Sequence, residues 1–242
     1  MPTDLMAYSM DIVEYFRSPR LQVALDLLSS SKALKIARQV KESVDIVEAG
    51  TPLIKAEGIK VVSRLKRALP GKLILADMKT LDVGWIEVCM AADAGADIVS
   101  ISGLAPNEVI EESVKAARQK NVIIEADLLG VKEQVTRAAE LKKLGLGIVC
   151  AHTAIDQEKS KISFESRVNM VKKIAEEIGV IVSAAGGLNL DNVGDIIEAG
   201  AKVIVVGRAI TSSEDPSKAA SSFKNKINAY SISKDTGASK VR

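Results

Sequence analysis

Leu73–Gly84 reads LILADMKTLDVG, a run of four apolar residues that leads directly into Asp77, Lys79 and Asp82. An unbroken apolar run is typical of a strand buried on both faces, because a solvent-facing strand alternates polar with apolar residues. Asp77 and Lys79 are two residues apart and would project to the same side of an extended backbone. Since charge at the end of a buried strand is costly unless it is paired or coordinated to a metal, the stretch predicts an ion pair or a functional site.

The same form, a short apolar strand followed by a helical pattern, occurs eight times along the chain. Strands are predicted at residues 21–26, 45–50, 73–79, 97–103, 122–130, 147–157, 180–187 and 203–210. A helix is predicted after each strand, including one that ends at about Leu69 and a last one over residues 216–229. Regular alternation of this kind favours parallel βαβ units, and eight of them favour an α/β fold, the (β/α)8 TIM barrel. A doubly wound open sheet is the alternative, but the glycine-rich turn typical of its first strand is missing here.

The expected organisation is one barrel domain over residues 1–230, with a short helical lead-in around Ala7–Phe16. Residues 231–242 are rich in Ser and Lys and are predicted to form a disordered tail. A chain of 242 residues that is 47% hydrophobic suffices for one such domain.

Composition also limits the partners and the compartment. The net charge of +2 arises from many charges of both signs, and aromatic residues are only 3% of the chain, so neither nucleic acid nor a membrane surface is expected as a partner. No signal peptide and no membrane span are expected, because no apolar run approaches the ~20 residues that a span needs. Cys89 and Cys150 lie in apolar runs outside any CxxC pattern and are interpreted as buried free thiols of a cytoplasmic protein.

In a (β/α)8 barrel the active site lies at the carboxyl ends of the strands, so the residues found there are the candidates. They are Asp26, Glu48, Asp77, Lys79, Glu125, Asp127, His152, Asp156, Gly186–Gly187 and Gly207–Arg208.

Strands seven and eight both end in glycine. Backbone N–H groups at Gly187 and Gly207, with a helix start nearby, are typical of the phosphate site of these barrels, and Arg208 would add a charged partner. The alternative is that the glycines form tight turns and that Arg208 is a surface charge.

Glu48 and Asp77 come from neighbouring strands and could hold Mg²⁺ or Mn²⁺, which prefer oxygen ligands, or could simply neutralise Lys79. His152 is the chain's only histidine and is placed where an acid–base group would stand. Glu125 and Asp127 are weaker candidates, and one of them could be a structural polar group inside the barrel.

ADMKTLD at residues 76–82 matches the D-x-K-x-x-D signature of the orotidine 5′-phosphate decarboxylase suprafamily, which the chain resembles over about Leu21–Ser222. The orotidine phosphate decarboxylases typically continue with Ile-Pro where this chain has Val83-Gly84. Glu48, in DIVEAGTPL, resembles the metal-ligand glutamate of the Mg²⁺-dependent members. HTAIDQE at residues 152–158 resembles the strand-six segment of the 3-hexulose-6-phosphate synthases. The 3-keto-L-gulonate-6-phosphate decarboxylases are expected to carry an arginine shortly after the histidine, and here the next arginine is Arg167.

The resemblance implies a reversible aldol addition of formaldehyde to D-ribulose 5-phosphate through a 1,2-enediolate. It implies Mg²⁺ (or Mn²⁺) on Glu48 and Asp77, with Lys79 beside the enediolate oxygens and His152 moving the proton at C1. Sugar phosphate and formaldehyde would be the small-molecule partners.

Two further roles follow from the same resemblance. Asp26 would pair with Lys79 or hold a substrate hydroxyl, and Asp82 would reach across a homodimer interface into the partner's site. The alternatives are a 3-keto-L-gulonate-6-phosphate decarboxylase-like enzyme and a non-catalytic phosphate-sugar binding module with structural carboxylates.

Overall fold

Eight parallel strands close into a barrel in this computed structural model, which describes residues 12–153 and 163–235. The strands are β1 (Arg20–Leu25), β2 (Ile46–Ala49), β3 (Leu73–Thr80), β4 (Ile98–Ser102), β5 (Ile123–Asp127), β6 (Ile148–His152), β7 (Ile181–Ala185) and β8 (Val203–Val206). Strands adjacent in the chain are adjacent in the sheet, and β8 closes the barrel by pairing with β1. The predicted (β/α)8 TIM barrel is therefore confirmed.

Helices alternate with the strands. They are α1 (Ser30–Val40), α2 (Thr51–Glu57), α3 (Lys60–Ala68), α4 (Gly84–Asp93), α5 (Asn107–Lys120), α6 (Gln134–Lys143), α7 (Phe164–Lys173) with a π-helical turn at Ile174–Ile178, α8 (Val193–Glu198), α9 (Arg208–Thr211) and α10 (Pro216–Asp235). Within the described ranges, no helix is both long and apolar enough to cross a membrane.

Several predicted boundaries were wrong. Strands β5 and β6, for example, end at Asp127 and His152, short of the predicted residues 130 and 157. The helix predicted to end at about Leu69 is interrupted at Gly58, whose left-handed φ of +72° ends α2. Strand β8 ends at Val206, and the residues after Gly207 begin helix α9. Helix α10 continues to Asp235, into the segment predicted to be disordered, because no glycine or proline interrupts the chain before Gly237.

Three predicted segments lie partly outside the described residues. Residues 12–15 are helical and belong to the expected lead-in, whereas residues 1–11 are not described. The structure also does not describe residues 236–242 of the predicted tail or residues 154–162 after β6.

The last residue of the expected lead-in, Phe16, fills the base of the barrel. Phe16 is 2% exposed and belongs to the apolar cluster inside the barrel, together with Ile46, Ile98 and Ile148. These isoleucines are the first residues of β2, β4 and β6, so Phe16 lies at the end of the barrel opposite the carboxyl ends of the strands. The interior is therefore apolar at its base, which leaves the other end for polar groups.

Replacing Phe16 with alanine is expected to lower the free energy of unfolding by about 3 kcal/mol, because it leaves a cavity inside the barrel. Urea denaturation measures the change. The control is Val13→Ala, which truncates a side chain that is 65% exposed and should change stability by less than about 0.5 kcal/mol. Equal effects of the two substitutions would contradict the role of Phe16 in the barrel interior.

Candidate active site

A cavity of about 740 Å³ opens at the carboxyl ends of the strands. The predicted residues that line it are Asp26, Glu48, Asp77, Lys79, Glu125, Asp127, His152, Gly186, Gly187, Gly207 and Arg208. Asp82 does not line it, and Asp156 lies outside the described residues. Strand ends that are far apart in the chain thus meet around one space, as the barrel predicts.

Lys79 connects two carboxylates at the centre of this cavity. Its Nζ lies 2.8 Å from both oxygens of Asp77 and 2.6 Å from Oδ2 of Asp127. Burial alone would lower the pKa of Lys79, but Asp77 and Asp127 outweigh burial and raise this pKa above its usual value. The ammonium is therefore charged at neutral pH. Asp77 and Lys79 do form an ion pair, which was one of the two alternatives that the sequence left open.

Asp127, one of the two weaker candidates, is a partner of both Lys79 and His152. Nδ1 of His152 lies 2.9 Å from Oδ2 of Asp127. Burial opposes the charged form of Asp127, yet the hydrogen bond and charge of His152, together with Lys79, lower the pKa of Asp127 to about 2. Because Asp127 is then an acceptor only, Nδ1 must carry a proton, and a neutral His152 keeps its free lone pair on Nε2.

Two hydroxyl groups that sequence reasoning missed also contact Asp77. Thr51 Oγ1 lies 2.6 Å from Asp77 Oδ2, and Ser100 Oγ lies 2.7 Å from Asp77 Oδ1. Thr51 immediately follows Gly50 at the end of β2, whereas Ser100 lies in the middle of β4. Thr51 and Ser100 carry no charge, so neither stands out in the sequence as Asp77 and Lys79 do.

Glu48 lies at the cavity wall and is only 8% exposed. Gln22 Nε2 donates a hydrogen bond of 2.6 Å to Glu48 Oε2, while the buried Gln22 Oε1 has no partner within the described ranges. Burial, reinforced by the neighbouring Asp77 and Asp26 carboxylates, raises the pKa of Glu48 well above its usual value.

The donor set of Glu48 and Asp77 fits a hard divalent cation. Both residues offer carboxylate oxygens, and the repulsion that raises the pKa of Glu48 would be relieved by a cation between them. A cation on Asp77 would compete with Lys79, but Lys79 would keep Asp127 as its partner.

Asp127, Cys150 and His152 form a second group of metal-binding side chains, with ligand atoms within 4.8 Å of one another. Burial raises the pKa of the Cys150 thiol well above its usual range, which disfavours the thiolate that a soft metal would need. The group is therefore a poorer fit for a metal than Glu48 and Asp77.

Glu125 lines the same cavity and is 5% exposed. It accepts a hydrogen bond from the hydroxyl of Ser183 on β7. Burial is the main cause that raises the pKa of Glu125 to about 7. Glu125 and Asp127 both face the cavity, but only Asp127 contacts Lys79 and His152.

The other side of the cavity is formed by the ends of β7 and β8. Gly186 has a left-handed φ of +97°, and a Cβ at this position would lie 2.2 Å from the carbonyl oxygen of Thr153. No other residue type therefore fits at Gly186 without moving the backbone. Helix α9 begins at Arg208 directly after Gly207, and both residues line the cavity.

Within the described residues, Asp26 and Asp82 lie outside the hydrogen-bonded network of Lys79. Asp26 lines the mouth of the cavity, but within the described ranges no hydrogen bond connects it to Lys79, which contacts Asp77 and Asp127 instead. Partial desolvation and the Asp77 carboxylate raise the pKa of Asp26. Asp82 is exposed and accepts a 2.7 Å hydrogen bond from the backbone N–H of Val83.

Residues 19–223 match the orotidine 5′-phosphate decarboxylase / HUMPS family. The chain is a member of this family. The match covers all eight strands and therefore every residue of the cavity described above.

Named members of the family include close relatives of the chain. It is 42% identical over 208 residues to a 3-hexulose-6-phosphate synthase of Mycobacterium gastri, in an alignment that covers 86% of this chain and 99% of that protein. A crystal structure of a 3-hexulose-6-phosphate synthase superposes with a TM-score of 0.82 at 41% identity, over 86% of this chain and 99% of the other. A crystal structure of KGPDC from Streptococcus mutans gives the same TM-score of 0.82 at 30% identity, over 87% and 98% of the two chains. The fold alone thus does not separate these two members.

Glu125 should make stability depend on pH. Its pKa is about 7 in the folded chain against an ordinary value of 4.5, so between these values the folded chain binds more protons than the unfolded chain. The contribution of Glu125 to the free energy of unfolding is therefore complete below pH 4.5 and is lost as the pH rises through 7. Glu125→Gln should therefore stabilise the protein more at pH 8 than at pH 5, by on the order of 1–3 kcal/mol.

Chemical denaturation at the two pH values, with a chelator present, measures this difference. Glu111→Gln serves as the control, because the side chain of Glu111 is exposed on α5. Parallel pH dependences for the wild type and Glu125→Gln would contradict the prediction.

Proposed function

We propose that the chain catalyses the reversible, metal-dependent aldol condensation of formaldehyde with D-ribulose 5-phosphate to give D-arabino-3-hexulose 6-phosphate. The observation that carries the proposal is the Lys79 ammonium held between Asp77 and Asp127, with His152 on the same Asp127, inside one cavity. The 42% identity to a named 3-hexulose-6-phosphate synthase over nearly its whole length supports this choice of reaction.

His152 would act on the C1 proton of ribulose 5-phosphate. Asp127 keeps a proton on Nδ1, which leaves Nε2 as the base that removes the C1 proton. The resulting 1,2-enediolate carries negative charge on its oxygens. The charged Lys79, fixed in place before the substrate arrives, would stabilise that charge.

Glu48 and Asp77 would hold Mg²⁺ or Mn²⁺. When bound, the cation would supply Lewis-acid stabilisation of negative charge on substrate oxygens. Asp77 is held from both sides by the Thr51 and Ser100 hydroxyls, and Glu48 is held by Gln22, so both carboxylates are oriented before a ligand binds.

The substrate phosphate would bind on the β7–β8 side, at Gly187, Gly207 and Arg208. The supporting observations are that all three residues line the cavity and that α9 begins directly after Gly207. Asp26, at the mouth of the same cavity, would hold a substrate hydroxyl. Binding energy from the phosphate would then position the reacting C1 end near Lys79 and His152.

A homodimer with shared active sites is part of the proposal. Asp82 does not line the cavity of its own chain, and the apolar side chains of Leu81, Val83 and Ile86 around it are 56%, 49% and 62% exposed. Such a patch favours an interface with a second copy, through which Asp82 would reach the partner's cavity.

The free thiols of Cys89 and Cys150 fit the reducing cytoplasmic setting that we propose.

A decarboxylase acting on 3-keto-L-gulonate 6-phosphate is the second candidate, supported by the superposition with KGPDC from Streptococcus mutans. Its reaction would use the same Lys79 and the same carboxylates. The segment expected to distinguish the two, residues 154–158 after His152, lies outside the described residues.

A non-catalytic sugar-phosphate binding module is the third candidate, but a binding role alone gives no reason to keep this many charges in one cavity.

Metal-free protein should consume formaldehyde in the presence of ribulose 5-phosphate only after Mg²⁺ or Mn²⁺ is added back, because Glu48 and Asp77 would otherwise repel each other and the substrate. A formaldehyde assay with and without chelator measures this. Glu48→Gln should reduce the rate by at least about 100-fold, whereas the surface control Glu111→Gln should not change it. Metal-independent consumption would contradict the Glu48–Asp77 site, and CO₂ release from 3-keto-L-gulonate 6-phosphate without formaldehyde consumption would favour the second candidate.

Mixing Asp82→Ala with Lys79→Ala subunits should restore activity that neither variant has alone. After random exchange, half of the dimers are mixed and each has one intact site, so recovery should approach about a quarter of the wild-type rate. The rate after subunit exchange measures the effect, and each variant exchanged with itself is the control. An inactive mixture, with mixed dimers demonstrated by mass spectrometry, would contradict the shared site.

A further inference from the structure

Strand β3 departs from regular pairing where the cavity begins. The ladder with β4 pairs Leu75 with Ile98 and Ala76 with Val99, and it resumes with Thr80 opposite Ile101. Residues 77–79 of β3 therefore face a single residue of β4, Ser100. A bulge of this kind interrupts the ladder and deprives backbone groups of their usual partner.

Lys79 is the residue most affected by the bulge. Its φ is +47°, in the left-handed region that residues other than glycine rarely adopt. Its backbone N–H donates to Ser100 Oγ at 3.0 Å. The left-handed bend is thus held in place by a side chain of the neighbouring strand.

The same hydroxyl donates its own hydrogen to Asp77 Oδ1, at 2.7 Å. A serine hydroxyl has one hydrogen to donate, so the two contacts fix its direction: it accepts from Lys79 and donates to Asp77. Ser100 is 1% exposed and does not line the cavity, so it would not touch a substrate.

We propose that Ser100 is a positioning residue whose hydroxyl holds Lys79 in its left-handed bend and orients the Asp77 carboxylate. The ammonium and one of the proposed metal-binding carboxylates are thereby set by one buried group. The hydrogen-bonding part of the inference stands on the geometry alone, whereas its catalytic consequence rests on the proposed function.

Three variants test this role. Ser100→Ala removes both hydrogen bonds, Ser100→Thr keeps a hydroxyl, and Ser113→Ala is the matched control. Ser113 is also fully buried, but its hydroxyl donates to the carbonyl of Val109 on α5, away from the cavity.

Three measurements separate a positioning role from a merely structural one. Amide hydrogen exchange of Lys79, resolved by NMR, should become at least about 10-fold faster in Ser100→Ala, because this N–H loses its acceptor. The affinity of the metal-free protein for Mn²⁺, followed by electron paramagnetic resonance, should fall about 10–100-fold, and kcat should fall by a similar factor. KM for ribulose 5-phosphate should change less than about threefold, because the phosphate would bind on the β7–β8 side. Ser100→Thr should recover all three values.

The proposal is overturned if Lys79 exchange and Mn²⁺ affinity in Ser100→Ala match the wild type, or if Ser113→Ala lowers Mn²⁺ affinity equally. Faster exchange and weaker Mn²⁺ binding in a protein with no aldolase activity would support the positioning role and count against the proposed function. Should Ser100→Ala not fold, Ser100→Cys, which retains only a weak donor, should show smaller losses of the same kind. Wild-type values in Ser100→Cys would then overturn the proposal.

Discussion

The ammonium of Lys79 is shared by two carboxylates from different strands, and the rest of the cavity is arranged around that contact. Asp77 and Asp127 are 5% and 4% exposed, so each would carry a large desolvation cost as an isolated charge. Removing Lys79 would leave Asp77 without a cation and Asp127 with His152 alone. Breaking a buried pair in this way typically costs on the order of 3–5 kcal/mol. The ion pair is thus both a structural requirement and the source of a charged Lys79 at neutral pH.

The barrel makes this contact possible by separating an apolar base from a polar mouth. Phe16 and the first residues of β2, β4, β6 and β8 fill the base with apolar side chains. At the other end the side chains of β2, β3, β5 and β6 converge, although their positions in the chain are far apart. No single βαβ unit could bring Asp127 to Lys79, because the contact needs β3, β4 and β5 side by side.

Sequence reasoning located the charged residues because an apolar run that ends in a carboxylate is an unusual pattern, as at Asp77. It could not rank Glu125 against Asp127, since both lie on one face of β5 and only their depth in the barrel separates their roles. It missed Ser100 and Thr51, because small hydroxyl residues are common and their partners depend on strand register. The left-handed backbone of Lys79 was likewise invisible, since the expected extended strand also places Asp77 and Lys79 on one side. The boundaries of β8 and α10 depended on backbone geometry after Gly207 and on the lack of a helix stop before Gly237.

The distribution of charge explains why one cavity would suit a metal and a phosphate together. The carboxylates that line the cavity are Asp26, Glu48, Asp77, Glu125 and Asp127. Burial, and then repulsion from neighbouring carboxylates, raises the pKa of Asp26, Glu48 and Glu125. A cation near Glu48 and Asp77 would relieve this repulsion, whereas an anion there would increase it. Glycine backbone and Arg208 instead line the β7–β8 side, so the phosphate would be directed away from the carboxylates. The substrate would therefore have one favourable orientation, with its reacting end towards Lys79, before any covalent step begins.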